Sequence, residues 1–126
     1  MTGEQILVVE DNAKNMKLFR DVLVATGYRT LEATSGSEAV DLASEHTPDL
    51  VLMDIQLPDL DGVQALGRLR ADPRTAGIPV LALTAQAMHG DRERFLAAGF
   101  DGYLSKPVDV RELIGTVREH CDGLAG

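Results

Sequence analysis

The sequence predicts an α/β fold in which parallel strands form one sheet flanked by helices. Apolar segments of strand length alternate with segments of helical period five times along the 126 residues, a pattern typical of βα units. Three of the apolar segments have almost no polar interruption, which indicates strands covered on both faces. A chain of this length suits one domain that buries roughly two thirds of its unfolded surface. We therefore expect residues 1–126 to form a single domain.

The predicted strands differ in how continuously apolar they are. The first, third and fourth are apolar almost throughout and should therefore occupy the centre of the sheet. The second strand mixes polar and apolar residues, as an edge strand would. In chain order the predicted strands are Gln5–Val9, Tyr28–Ala33, Asp49–Asp54, Pro79–Thr84 and Gly102–Ser105.

Helix starts are predicted at three places. Ser35 followed by Glu38 is the pattern of a capping box, in which each residue satisfies a backbone N–H of the first turn. Asp109 followed by Glu112 is a weaker version of the same pattern. The third helix should begin near Asp61, after the turn residues of the preceding loop.

Helix ends and apolar helix faces are also predicted. Gly27 and Gly99 stand where helices should stop, since glycine adopts the left-handed conformation that ends many helices. The last helix is expected to run out near Cys121. Helical spacing predicts that three helices bury Leu18, Phe19, Val22 and Leu23; Val63, Leu66 and Leu69; and Val110, Leu113, Ile114 and Val117.

Composition and charge exclude several classes of protein. With 44% hydrophobic and 25% charged residues, the chain suits neither disorder nor a membrane class. No apolar run approaches the roughly 20 residues that a membrane helix needs, and the first residues, "MTGEQ", lack the basic and apolar regions of a secretory signal. The single cysteine, Cys121, cannot form an internal disulfide, which agrees with a reducing compartment. We expect a cytoplasmic protein that makes no membrane contact.

The net charge of −8 argues against unaided binding to nucleic acid, because phosphates attract basic surfaces. Cations and basic partner surfaces are the expected ligands of so acidic a chain.

Polar residues end most of the predicted strands. Glu10 and Asp11 follow the first strand, Asp54 closes the third and Thr84 the fourth, and Lys106 follows the fifth after Ser105. All strands of an open parallel sheet have their carboxyl ends at one edge, and ligands bind in the crevice there. We therefore expect three carboxylates, a hydroxyl and an ammonium group to meet in one crevice.

Each of these residues also has an ordinary structural interpretation. Asp11 or Asn12 could serve only as a helix N-cap, Thr84 could be a strand residue, and Lys106 could be a solvated surface lysine. Asp54 is harder to explain in this way, because it closes the apolar run "LVLMD" directly before a loop. The joint placement of all these residues at strand ends favours a functional site.

The predicted cluster has a definite chemistry. Repulsion between the adjacent Glu10 and Asp11 should raise the pKa of at least one of them, so a cation is expected between the carboxylates. Carboxylate oxygens suit Mg²⁺, which keeps positions open for a phosphate oxygen. An aspartate screened in this way can attack phosphorus and form an acyl phosphate. Lys106 would neutralise the phosphoryl oxygens, and the Thr84 hydroxyl would donate a hydrogen bond to one of them.

At these positions the sequence resembles the receiver domain of bacterial two-component response regulators. The matching motifs are "VVEDN", "LMDIQLPDLDG", "IPVLALTA" and "YLSKP", in that order, and the resemblance spans nearly the whole chain. It implies a doubly wound, flavodoxin-like fold of five parallel strands in the order 2-1-3-4-5 with five helices. The chain departs from the family at Leu57, where methionine is common, which concerns packing and not chemistry.

The resemblance also implies roles for individual residues. Asp54 would be the phosphoacceptor, Asp11 a direct Mg²⁺ ligand and Glu10 a ligand through water, and the backbone carbonyl of Gln56 would supply a further ligand. Thr84 would follow the phosphoryl group.

A switch and a cis peptide bond follow from the same resemblance. Tyr103 would swing inward behind Thr84 and change the face formed by the fourth helix, fifth strand and fifth helix. The alternative for Tyr103 is an aromatic residue half-buried at a strand end. The bond from Lys106 to Pro107 is expected to be cis.

Four longer motifs, "NMKLFRDVL", "PDLVLMDIQLP", "AMHGDRERF" and "YLSKP", resemble single-domain receivers of alphaproteobacterial cell-cycle signalling. This resemblance implies phosphotransfer from sensor histidine kinases or phosphotransfer proteins, and binding back onto kinases. It implies no DNA-binding output domain, and a monomer or weak dimer. The chain would then act as a phosphoacceptor that assists its own phosphorylation and dephosphorylation, and not as an enzyme with multiple turnover.

Gln56 and Gln86 each lie two positions after a residue of the cluster, Asp54 and Thr84. We expect these amides to flank the line along which water attacks the acyl phosphate, and so to tune its hydrolysis. The three histidines, His46, His89 and His120, lie on no carboxyl-end strand tip and are expected to have surface roles.

Three rival functions fit the sequence less well. A phosphatase of the haloacid dehalogenase class needs a second aspartate two residues after the nucleophile, and that place holds Gln56. A flavin or nucleotide module would want a phosphate-cradling loop after the first strand, where "EDNAKN" instead offers carboxylates. A degenerate receiver that only binds partners is the third alternative, and the complete set of site residues argues against it.

Overall fold

The computed structural model describes residues 3–85 and 91–125. Within these residues five strands alternate with five helices. In chain order they are β1 Gln5–Val9, α1 Ala13–Ala25, β2 Arg29–Ala33, α2 Gly36–His46, β3 Leu50–Asp54, α3 Gly62–Ala71, β4 Val80–Thr84, α4 Asp91–Ala98, β5 Gly102–Ser105 and α5 Val110–Ala125. The predicted strands are confirmed to within one residue at their starts, and all five ends agree.

The strands form one parallel sheet in the order β2-β1-β3-β4-β5. This order is the one that the resemblance implied. The three continuously apolar strands are central as predicted, and every residue of β3 and β4 is buried. The mixed strand β2 lies at an edge and exposes Arg29 and Glu32. None of the described helices combines the length and apolar composition needed to cross a membrane.

Alternate residues of each strand face two separate cores, as the two-residue period of a strand requires. Leu7 and Val9 of β1 pack with residues of α2, α3 and α4 on one side of the sheet. Ile6 and Val8 pack with residues of α1 and α5 on the other side. Helices therefore cover both faces, which confirms the doubly wound architecture.

Three predicted core positions are wrong. Val63 and Val110 are 44% and 41% exposed, because each lies in the first turn of a helix that starts beyond the carboxyl edge of the sheet. Leu18 is 39% exposed, since the face of α1 that packs on the sheet is centred on Met16, Phe19 and Leu23. Spacing identifies a helix face, but the tertiary contact decides where its centre lies.

Helix termini agree with the sequence in part. Ser35 accepts from the N–H of Glu38 as predicted, but the Glu38 carboxylate accepts from the N–H of Thr34 and not from that of Ser35, so this capping box is incomplete. Asp61 and Gln64 form a complete capping box at α3 that the sequence analysis missed.

Of the remaining predicted helix boundaries, only the end of the last helix differs from the structure. Asp109 accepts from the N–H groups of Arg111 and Glu112 at the start of α5. Gly27 and Gly99 adopt positive φ at helix ends, as predicted. The prediction that the last helix stops near Cys121 is wrong, because α5 continues to Ala125.

Candidate functional site

The carboxyl edge of the sheet gathers three acidic side chains. Glu10 and Asp11 follow β1, and Asp54 is the last residue of the neighbouring strand β3. One carboxylate oxygen of each residue lies within 4.8 Å of those of the other two. The parallel register brings these side chains together although Asp54 is more than forty positions away in the chain.

Lys106, the residue directly after β5, completes the cluster. Its backbone N–H donates to the carbonyl of Thr84 at 2.8 Å, which fixes the residue beside the end of β4. Its ammonium Nζ lies 2.8 Å from Oε1 of Glu10 and 2.6 Å from Oδ2 of Asp54. The peptide bond to Pro107 is cis, as the resemblance implied. The ammonium group therefore contacts two of the three carboxylates that were expected to meet it.

Glu10 is the most deeply buried acid of the cluster, with 1% of its surface exposed. Its Oε2 accepts from the N–H of Asn12 at 3.2 Å, and its Oε1 accepts from the amide Nδ2 of Asn15 at 3.4 Å. Burial raises the pKa of Glu10, and the nearby Asp54 raises it further, although Lys106 and the Asn12 N–H oppose this. The predicted rise in pKa is confirmed, but its cause is burial and Asp54, and not the sequence neighbour Asp11.

Lys106 is held in its charged form by its partners. Burial on its own would lower the pKa of this ammonium group, but hydrogen bonds and charge attraction from Asp54 and Glu10 outweigh burial, so the pKa is raised. A protonated lysine is therefore part of the site at neutral pH.

Asp54 is fixed at both carboxylate oxygens. Oδ1 accepts from the backbone N–H of Gln56 at 2.9 Å, and Oδ2 accepts from Lys106. The Gln56 side chain is exposed. The following loop returns at once to the strand end, since the N–H of Gly62 donates to the Ile55 carbonyl at 2.9 Å. A Cβ at Gly62 would lie 2.8 Å from the carbonyl oxygen of Asp54, so a larger residue would displace the acceptor strand.

Thr84 and Tyr103 lie on the neighbouring strands. Thr84 is 4% exposed at the end of β4, opposite Ser105 of β5. Tyr103 is half-buried in β5, and its ring centroid lies 6.3 Å from that of Phe95 in α4. A cavity of about 300 Å³ adjoins Tyr103 between α4, β5 and α5.

The remaining predicted residues lie apart from the cluster. Gln86 and His89 fall outside the described residues. His46 is exposed, as expected of a surface residue. His120 is half-buried, with Nδ1 2.9 Å from the Thr116 carbonyl oxygen, so the expected surface role is wrong in part. It packs near Gly102, at the edge opposite the carboxylates.

Sequence reasoning missed Asn15 and assigned Asn12 only as one of two possible caps. Asn12 is the N-cap of α1, and its Oδ1 accepts from the N–H groups of Lys14 and Asn15 at 3.0 Å. This cap starts the helix so that its first turn holds Asn15 against Glu10. The capping pattern Asn12 to Asn15 was the signal that could have placed this amide beside the site.

The donor set fits a divalent cation. The clustered atoms are hard carboxylate oxygens, and three carboxylates face one ammonium group, which leaves negative charge uncompensated. Among the described residues this is the one group of three or more acidic, histidine or cysteine side chains close enough to share an ion. Such oxygen donors favour Mg²⁺, Ca²⁺ or Mn²⁺ over softer metals.

Comparison with known protein families identifies the family of this chain. Residues 6–118 match the model of the response regulator receiver domain. The chain belongs to this family. Receivers of this kind are signalling domains of two-component systems, and the family affiliation places this chain among them.

Individual relatives extend the comparison. The polar-differentiation response regulators DivK of Brucella ovis and Brucella melitensis are each 49% identical over 117 residues, which are 93% of this chain and 95% of theirs. The single-domain receivers of cell-cycle signalling that the longer motifs resemble are this DivK group, so that resemblance is confirmed.

Solved structures show the same receiver fold. A Francisella response regulator receiver domain superposes with a TM-score of 0.90 at 29% identity, covering 97% of this chain and 99% of that one. The receiver domain of a sensor histidine kinase from Pseudomonas aeruginosa gives a TM-score of 0.88 at 39% identity, covering 96% and 99%. That neighbour has a magnesium ion coordinated in its active site cleft.

Proposed function

We propose that this receiver takes part in a phosphorelay by accepting a phosphoryl group on Asp54. The donor is a phosphohistidine of a sensor histidine kinase or a phosphotransfer protein in the cytoplasm. The observation that supports this role best is the position of the Asp54 carboxylate, which binds the Lys106 ammonium and lies beside two further carboxylates at a strand end.

The proposed transfer moves one phosphoryl group between two side chains. A carboxylate oxygen of Asp54 attacks phosphorus, the P–N bond to the donor imidazole breaks, and the imidazole keeps the electron pair. Lys106, already 2.6 Å from Asp54, follows the transferred group and neutralises its oxygens. The Gln56 N–H holds Oδ1 and so orients the carboxylate for attack. The product is an aspartyl phosphate.

The acidic cluster would hold Mg²⁺ during this reaction. Asp11, Asp54 and the carbonyl of Gln56 would be direct ligands and Glu10 a ligand through water, since the carboxylate of Glu10 already accepts hydrogen bonds from Lys106, Asn12 and Asn15. The ion would supply charge neutralisation of the phosphoryl oxygens. The P. aeruginosa neighbour with magnesium in its cleft supports this choice of metal.

Phosphorylation would change the surface of the face formed by α4, β5 and α5. The Thr84 hydroxyl donates to a phosphoryl oxygen, and Tyr103 moves inward behind it. The cavity beside Tyr103 gives this face a surface that changes when the ring moves. As the resemblance to single-domain receivers of cell-cycle signalling implies, the partners bound there would be sensor histidine kinases.

Two glutamines would tune the lifetime of the aspartyl phosphate. The exposed side chain of Gln56, two residues after Asp54, can reach water that approaches the acyl phosphate. Gln86 would flank the same line from the segment after β4. Equal phosphoryl half-lives in the wild type and Q86A would contradict this role for Gln86.

The phosphoacceptor is tested with a small phosphodonor, phosphoramidate or acetyl phosphate, and Mg²⁺. We expect one hydroxylamine-labile phosphate per chain in the wild type, none in D54N, and wild-type labelling in D21N, which changes an exposed aspartate of α1. Labelling that persists in D54N would overturn the assignment. A wild type that takes no label from either donor would favour a degenerate receiver that only binds partners.

A further inference from the structure

The loop between the proposed phosphoacceptor and α3 is attached to a helix that contributes nothing to the acidic cluster. Asp59 of this loop extends its carboxylate to the first turn of α2. Oδ1 accepts from the N–H of Gly36 at 2.8 Å, and Oδ2 accepts from the N–H of Ser37 at 3.0 Å and from its hydroxyl. We call these contacts, together with the packing of Leu60 on Gly36, the α2 clamp.

The packing of Leu60 is the second part of this clamp and does not involve the Asp59 carboxylate. A Cβ built at Gly36 would lie 2.7 Å from Cβ and 3.0 Å from the carbonyl oxygen of Leu60. Leu60 therefore lies so close to α2 that any side chain at position 36 would force it to shift. Two adjacent loop residues thus contact the same turn of α2, Asp59 through its carboxylate and Leu60 through close packing.

Asp59 completes the capping of α2 from a different element, because it binds the N–H groups of Gly36 and Ser37, which Ser35 does not bind. The α2 helix already has its own N-cap, since the Ser35 hydroxyl accepts from Glu38, and Glu38 in turn binds the N–H of Thr34. Asp59 reaches α2 across 22 residues of chain, and the same loop holds the backbone of Gln56 against Asp54. A shift of Asp59 would therefore be transmitted through Pro58 and Leu57 to Gln56.

We propose that Asp59 is a positioning residue, which fixes the acceptor loop on α2 so that the Gln56 carbonyl and the Asp54 carboxylate are held in place to bind the divalent ion. This inference rests on the proposed function, because it assumes that Gln56 is a ligand. Asp59 itself touches no ligand. Its effect arises because the loop cannot move on α2 while the carboxylate is bound by three donors.

The test measures the Mg²⁺ dissociation constant of metal-free protein by isothermal titration calorimetry, with Tm recorded beside it. D59A removes every acceptor, and D59N keeps one carbonyl oxygen for the Gly36 N–H. Outer-sphere partners of metal ligands change affinity by roughly 10- to 100-fold. Asp59 contacts no metal ligand directly and acts only through the loop backbone. We therefore expect about three- to tenfold weaker Mg²⁺ binding in D59A and a smaller loss of Mg²⁺ affinity in D59N.

A second variant disturbs the clamp without changing any loop residue. In G36A the new methyl group displaces Leu60, so Mg²⁺ binding should weaken although the N–H donors remain. The matched glycine control is G67A in α3, where an added Cβ has nothing within 4 Å and affinity should be unchanged. The matched helix control is S35A, which removes the N-cap of α2 and should lower Tm without changing Mg²⁺ affinity.

Each outcome decides the inference. Weaker Mg²⁺ binding in D59A and G36A, with unchanged binding in S35A and G67A, supports the clamp. Wild-type affinity in both clamp variants, with or without a lower Tm, overturns it and leaves the proposed function intact, since the wild type would still bind Mg²⁺ and label Asp54. Absence of Mg²⁺ binding by the wild type overturns the proposed function together with the inference. If D59A fails to fold, D59N and G36A decide the question.

Discussion

The two edges of the sheet are built from similar charged groups but differ in how these groups are matched. At the carboxyl edge three carboxylates lie close together, and two of them bind the single ammonium group of Lys106. At the amino edge the guanidinium of Arg70, in the last turn of α3, joins the segments that lead into β4 and β5.

The four N–H groups on the two terminal nitrogens of Arg70 meet four acceptors. Its two terminal nitrogens donate to the carbonyl oxygens of Ala76, Ile78 and Gly99 and to Oδ2 of Asp101, over 2.6–3.1 Å. The same Oδ2 of Asp101 accepts from the N–H of Val80 at 2.8 Å. One positive charge faces one negative charge, and the remaining donors bind backbone carbonyls.

The difference separates a network whose charges are matched within the fold from one whose charges are not. In a matched network such as that of Arg70, each charge is neutralised by a partner within the folded chain. No charge therefore remains to attract a ligand. The carboxyl edge keeps uncompensated negative charge next to the loop of Gln56, so its charges are balanced only when a cation or a basic partner arrives. An excess of one charge within a buried cluster therefore marks the candidate site more clearly than burial does.

The largest effect on stability is expected for K106M. This variant keeps most of the apolar stem but leaves Glu10 and Asp54 close together and unpaired, and removing one partner of a buried ion pair costs about 3 to 5 kcal/mol. We expect a loss of this size in the free energy of unfolding, measured with urea in the presence of EDTA. The double variant K106M/D54N should recover part of it, because one of the two unpaired charges is removed.

K17M is the control for K106M. Lys17 also lies 2.6 Å from a carboxylate, that of Asp21, but both side chains are more than half exposed. Exposed pairs of this kind contribute at most about 1 kcal/mol. Equal losses in K106M and K17M would show that the carboxyl-edge cluster has no special electrostatic character.

The second-largest loss of stability is expected for R70M, at the amino edge. Loss of the guanidinium leaves the Asp101 carboxylate and the buried Ile78 carbonyl without this donor, so the free energy of unfolding should fall by about 2 to 3 kcal/mol. Mg²⁺ affinity and labelling of Asp54 should stay at wild-type values, because Arg70 lies at the opposite edge from the cluster. A changed Mg²⁺ affinity would contradict the separation of the two networks.

The control for R70M is R74M. The Arg74 guanidinium pairs with Asp72, two residues away, at 3.1 Å on the surface. Its removal should change the free energy of unfolding by less than about 1 kcal/mol.

The same contrast explains what could be predicted from the sequence. Parallel strands fix the position of every residue at their carboxyl ends, so Glu10, Asp54 and Lys106 could be brought together from strand assignments alone. The central positions of β1, β3 and β4 followed from their continuous apolar character. Their order in the sheet came from the family resemblance.

Contacts made by long side chains between elements could not be predicted. Arg70 binds Asp101 across 31 residues, and Asp59 binds Ser37 across 22. No periodicity connects such positions, because the pairing depends on the angles at which two helices and a loop pack. For the same reason Leu18 and Val63 were placed in the core although the packing leaves them exposed.

The smallest effect is expected from the pH dependence of the Asp59 contact, which lies outside both edge networks. The Ser37 hydroxyl, followed by the N–H groups of Leu60, Gly36 and Ser37, lowers the pKa of Asp59 below its ordinary value of 3.8, although partial desolvation opposes this. A lowered folded-state pKa means that the ionised carboxylate stabilises the fold above about pH 4 and that this contribution is lost as the pH falls below it. The difference in unfolding free energy between wild type and D59N should therefore be constant from pH 7 to pH 5 and shrink toward pH 3, in urea titrations at each pH. S37A should shrink the difference at neutral pH, because it removes the strongest of these donors, whereas a difference that stays constant down to pH 3 would show that Asp59 is not held as a charged acceptor.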